Sequence, residues 1–133
     1  MNQDLKTFYE LTRRTRTGVL DWLDTLPTET FTREHDAFAF GSLKSIYTHV
    51  AACYLTWVGT VGLGREEAEV RVRDANELRD AFSAVDATVT EALETFDALD
   101  QPFTWTFSSG NTITSTRRWL LLHPITHEFH HKG

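Results

Sequence analysis

The sequence predicts an all-α protein: a four-helix bundle with long connections and a short β-like hairpin or extended loop before the last helix. Three observations carry that expectation. Apolar residues recur at intervals of three and four in four separate segments, the spacing that lines one face of a helix. Residues that start and stop helices flank those segments. The 133-residue chain is 41% hydrophobic and 24% charged, enough to bury one core without staples and unlike a disordered or fibrous chain.

The first helix is read from Leu5, Phe8, Tyr9, Thr12, Val19, Trp22, Leu23 and Leu26, and Pro27 stops it. Residues 28–41 are rich in Thr and Phe without a clean period, which predicts a loop with Phe31, Phe38 and Phe40 tucked beneath it. A second helix begins near Ser42 and runs through Leu43, Ile46, Tyr47, Val50, Tyr54, Trp57 and Val61, ending among Gly59, Gly62 and Gly64. Asp74, with Glu77 three residues on, forms a capping-box pattern for a third helix extending to Leu99. Pro102 closes that region. Two short β-branched and aromatic runs around SSGN then predict a hairpin. The last helix spans about 115–133, with Pro124 inside it as a predicted kink or start.

Charge and cysteine usage exclude several classes. The net charge is -6, and residues 65–100 carry eleven Asp and Glu against four Arg, the opposite of a phosphate-tracking surface. No nucleic-acid partner is expected. A single cysteine, Cys53, cannot form an internal disulfide and reads as a small buried hydrophobe. The polar N-terminus and the absence of any long apolar run predict neither a signal peptide nor a membrane partner, and hence a cytoplasmic protein.

The histidines are the informative feature. Of six, His123, His127, His130 and His131 fall within the last eleven residues. On a helix His127 and His131 lie one turn apart on one side, about 6 Å in rise, which suits two imidazoles on one metal ion. His123 shares that face, but His123 and His131 are about 12 Å apart along the axis. With ligand bonds of about 2.0–2.1 Å, the three cannot serve one ion. A third ligand must come from elsewhere. His49, on the flank of the second helix's apolar stripe, is the candidate, and His35, between Glu34 and Asp36, is a solvated competitor. His130 faces differently.

The tail also spells H-E-x-x-H through His127, Glu128 and His131, a zinc-protease pattern in which Glu acts as general base. No downstream ligand follows within the chain, so a protease is disfavoured. Glu128 points about 100° from His127 and is expected at the surface. Arg117 and Arg118 are expected in surface salt bridges, with carboxylate binding as the sharper alternative.

The second-helix stretch SLKSIYTHVAACYLTW and the closing GNTITSTRRWLLLHPITHEFHHKG together resemble the DinB/YfiT-like bundle proteins over most of the chain. Most specific are the terminal H-x3-H followed by a basic residue and Gly, His123 one turn earlier, and the single second-helix histidine. The resemblance implies one bundle domain over residues 1–133, of up-down-down-up type, commonly a homodimer. It also implies that the last helix of the family continues beyond Gly133. A divalent metal held by three histidines maps onto His49, His127 and His131.

Three neutral imidazoles leave a coordination position open, as in catalytic sites. Zinc is the favoured ion, with nickel or iron as alternatives, because nitrogen-only ligation does not select one metal. Some members of the resembled family look like transferases acting with a low-molecular-weight thiol, which implies a metal-dependent transferase and a small-molecule partner. A metal-dependent hydrolase and a non-enzymatic metal-binding or dimerisation module are the other two readings.

Overall fold

The computed structural model describes residues 3–35 and 41–132. Their order is α1 (Gln3–Asp24), α2 (Thr28–Thr32), α3 (Leu43–Tyr54), a π-helical continuation (Leu55–Gly62), α4 (Ala75–Thr95), β1 (Phe103–Thr106), β2 (Thr112–Ser115) and α5 (Arg117–Lys132). The all-α bundle holds. α3 packs on α4 and α5, and α1 packs on α4 and touches α5.

Helix α1 buries Leu5, Tyr9, Thr12, Arg16, Leu20 and Leu23, spaced by three and four residues. Phe8 and Trp22, expected in this stripe, are 38% and 52% exposed. The stripe is therefore rotated by about one residue, because it follows a buried arginine that an apolar count omits. After Pro27 the chain makes one further helical turn, α2, where a loop was expected. Five residues are too few to reveal a 3.6-residue period. Phe31 is 1% exposed as expected. Phe38 and Phe40 lie outside the described residues.

Ser42 caps α3, its hydroxyl accepting from the Ser45 N–H at 3.0 Å. The glycines expected to end this helix do not end it at Gly59. The backbone loosens from the α to the π ladder after Tyr54 and continues through Gly62, burying Val58, Gly59, Thr60 and Val61 against α4 and α5. Glycine makes the close approach possible at Gly62, where a Cβ would lie 2.6 Å from Phe96 Cζ. Gly64, at φ +73°, takes the left-handed turn that finally releases the chain.

Asp74 caps α4 by accepting from the Glu77 N–H at 2.9 Å, but the Glu77 carboxylate accepts from the Arg73 N–H at 2.7 Å, so the capping box closes one residue early. The helix stops at Thr95 instead of reaching Leu99. Phe96 turns extended, which sends its ring under Gly62, and Ala98 adopts φ +43°.

The hairpin forms as expected. β1 and β2 pair antiparallel with Phe103 opposite Ser115 and Trp105 opposite Ile113, around a turn in which Gly110 has φ +91°. Helix α5 then runs unbroken through Pro124, which is buried within it; the missing N–H leaves the Leu120 carbonyl without its helical donor. Leu23, Val50, Tyr54, Val58, Leu78, Val85 and Leu120 are wholly buried and define the core.

Candidate metal centre

Two helices build the site. α3 presents His49 from its middle, and α5 presents His127 and His131 one turn apart. Their side chains converge: His49 Nε2 lies 3.0 Å from His127 Nε2, and His131 Nε2 lies 3.2 Å from the same atom. Each offers a ring nitrogen, and all three nitrogens fall within 4.8 Å of one another. Bonds of about 2.0–2.1 Å at a tetrahedral angle would set neighbouring ligand nitrogens about 3.3–3.4 Å apart, close to the two distances from His127 Nε2.

Electrostatics favour the form that binds metal. Burial holds His127 down to about 4, helped by the neighbouring His131 and His49 rings and then by His123 and His130. Burial also lowers His49, and burial together with His49 and His130 lowers His131. Neutral imidazoles keep the lone pair a cation needs. The His127 Nδ1 atom is buried without a hydrogen-bond partner among the described residues, so Nε2 is the nitrogen turned to the site. The chemistry of the donor set therefore fits a divalent metal ion without selecting one.

The remaining histidines divide as their spacing requires. His123 stacks on Trp119 at 4.4 Å with the rings 7° from parallel, and it stays outside the trio. Trp57 meets both rings edge-on, at 5.1 Å from Trp119 and 5.8 Å from His123, and Phe107 extends the column at 5.9 Å from Trp57. His130 is exposed beside His131. His35 is exposed and donates its backbone N–H to the Gly41 carbonyl, away from the trio.

Glu128 is not at the surface. It is wholly buried, and Arg16, itself 2% exposed, grips it with two hydrogen bonds of 2.9 Å from Nε and Nη2. The Tyr54 hydroxyl donates to it at 2.6 Å. Arg16 Nη1 donates to Asp86 at 2.9 Å, and the Tyr9 hydroxyl donates to that same carboxylate at 2.5 Å. Burial alone would lower the Arg16 guanidinium, but the Glu128 carboxylate beside it drives it above its ordinary value. Burial and the Glu128 charge raise Tyr54. A carboxylate held by a bidentate arginine and a tyrosine is engaged in structure, so Glu128 does not stand in the general-base position that the H-E-x-x-H pattern would require. Arg118 pairs with Asp100 at 2.7 Å in an exposed bridge, and Arg117 lies 5.2 Å from the centre of the Phe103 ring.

The model of the DinB family matches residues 1–133. The chain belongs to the DinB family. Metal binding is the general character of the DinB family, and in this member His49, His127 and His131 stand close enough together that they could hold an ion. No curated protein matches this DinB-family chain. Among its described residues no helix is long and apolar enough to cross a membrane.

Proposed function

We propose that this protein is a divalent-metal-dependent transferase that joins a low-molecular-weight thiol to a small electrophile. The observation that carries the reading is the convergence of three neutral imidazoles from two helices, a ligand set that leaves a coordination position for an exogenous group. His49, His127 and His131 are the proposed ligands, and zinc is the favoured ion. A bound divalent cation would supply the Lewis acidity that keeps a thiol as its thiolate near neutral pH. The chain's own part is to hold two α5 histidines against one from α3, and to wall the site with the Trp57–Trp119–His123 column. Hydrolysis is less well supported, because Glu128, the carboxylate nearest in sequence to the ligands, is committed to Arg16 and Tyr54. We further assign a single homodimeric domain acting in the cytoplasm on small molecules, with no nucleic-acid partner given the acidic balance.

The decisive measurement is elemental analysis of untagged protein never exposed to immobilised metal, beside His49→Ala and His131→Ala. About one ion per chain is expected in the parent, with affinity reduced by orders of magnitude in both variants and helical content retained, because the apolar stripes hold the bundle without metal. Metal-loaded protein would then be assayed for thiol consumption against alkylating electrophiles. Failure to take up any metal on titration sinks the reading; metal uptake without thiol turnover leaves a metal-binding module.

A further inference from the structure

A cleft of about 580 Å³ opens beside the metal centre, between one face of α3 and the extended segment that precedes α4. Its walls are Lys44, Ser45, Thr48, His49 and Ala52 on one side and residues 69–73 on the other, so His49 belongs to both cleft and histidine trio. The size falls in the range of small-molecule sites, about 300–1,000 Å³.

The charge of this cleft departs from that of the chain. Three cations, Lys44, Arg71 and Arg73, face it with one carboxylate, Glu69, in a protein whose net charge is -6. Two cations are already answered. Arg71 pairs with Glu69 at 3.1 Å, and Arg73 pairs with Glu77 at 2.9 Å. Lys44 has no ion-pair partner among the described residues, which leaves one uncompensated positive charge at the mouth.

A second observation comes from Thr48. Thr12, Thr15 and Thr95 each donate to the carbonyl four residues back, at 2.8–2.9 Å, as helical threonines commonly do. Thr48 makes no such bond: its Oγ1 is buried and lacks any hydrogen-bond partner among the described residues. A buried hydroxyl without a partner is costly, and its side chain lines the cleft. Ala52, Val70 and Val72 supply an apolar lining.

We infer that this cleft is the subsite for a small aliphatic monocarboxylate, the acidic end of the substrate, with Lys44 pairing its charge and Thr48 turning its now buried hydroxyl outward about χ1 to donate to it. One unanswered cation matches one carboxylate, and the apolar residues match a short hydrocarbon stem better than a bare phosphate. The inference rests on the proposed transferase reading for its place in a reaction, but its test does not need the metal.

The test is a titration of the metal-free, 15N-labelled full chain with butyrate, followed by amide chemical shifts, with butyramide as the uncharged control and inorganic phosphate as a second anion. Saturable shifts at Ser45, Thr48, Val70 and Val72 are expected with butyrate alone. Lys44→Gln should weaken butyrate about tenfold or more, and Thr48→Val, which keeps the side-chain shape, about threefold or more. Equal response to butyramide, phosphate binding as tight as butyrate, or unchanged affinity in Lys44→Gln overturns the assignment. Because the metal reading is judged by metal uptake and this one by metal-free binding, failure of either is recognised separately.

Discussion

Cys53 lies one helical turn beyond His49 on the same helix and is 9% exposed. Burial pushes its thiol up to about 11 from an ordinary 9.0, partly opposed by a hydrogen bond with Trp57. A thiol raised that far is thiolate in only about one molecule in a thousand at pH 8, and the thiolate is the reacting form. Iodoacetamide should therefore leave the folded protein unlabelled at pH 8 and label it promptly in denaturant. In the folded state labelling should rise only as pH climbs toward 11, and rapid labelling at pH 8 would contradict the burial. At this scale the sequence was read unevenly. His127 and His131 were legible because one helical turn aligns them while two turns carry His123 too far from His131, and His49 because its place on the second helix's stripe lets it point inward. Glu128 was misread because its partner Arg16 lies 112 residues away, and only tertiary packing brings a guanidinium to meet it.

The element that sequence periodicity did not reveal is the π-helical stretch after α3. Its glycines read as a stop signal, whereas Gly59 and Gly62 lie within a continuing helix and Gly62 serves close packing there. Gly62 and Gly59 separate the effects. A Cβ at Gly62 would meet the Phe96 ring at 2.6 Å, and that residue is only 6% exposed, so the ring has little room to yield. Gly62→Ala should cost about 1–3 kcal/mol of stability, as overpacking commonly does. At Gly59 the nearest atom would be Thr88 Cγ2 at 3.5 Å, an ordinary contact. Gly59→Ala should be neutral or stabilising by up to about 1 kcal/mol through reduced backbone entropy of the unfolded chain. Urea melts with unchanged slope decide both, and a Gly62→Ala protein as stable as the parent would refute the close approach. The hairpin and α4 cap were legible because turn residues and N-caps act locally.

Across the whole molecule, one polar network ties the four long helices together. Tyr9 and Arg16 come from α1, Tyr54 from α3, Asp86 from α4 and Glu128 from α5. Arg16 also lies 4.4 Å from the centre of the Phe82 ring. Removing Arg16 leaves the buried Glu128 charge without its cation, which costs about 3–5 kcal/mol in comparable pairs. Arg16→Met should destabilise on that scale, Glu128→Gln by less because Arg16 keeps its pair with Asp86, and Arg16→Met combined with Glu128→Leu should recover part of the loss. Additive losses in the double variant, measured by chemical denaturation, would deny the coupling. The bundle itself was legible from four apolar stripes, but the polar interior was not, since a charged residue on a helix face is ordinarily assigned to solvent.

The aromatic column beside the histidines gives this protein an optical handle. Two of its four tryptophans, Trp57 and Trp119, stand in edge-to-face contact, and Trp119 is stacked on His123, whose ring is 6.0 Å from His127. Copper or nickel ions entering the trio would quench the emission of these indoles, and the coupled pair would give a near-ultraviolet dichroism signal sensitive to their packing. Entry of a quenching ion at the trio could therefore be followed in real time on unmodified material, with no dye attached.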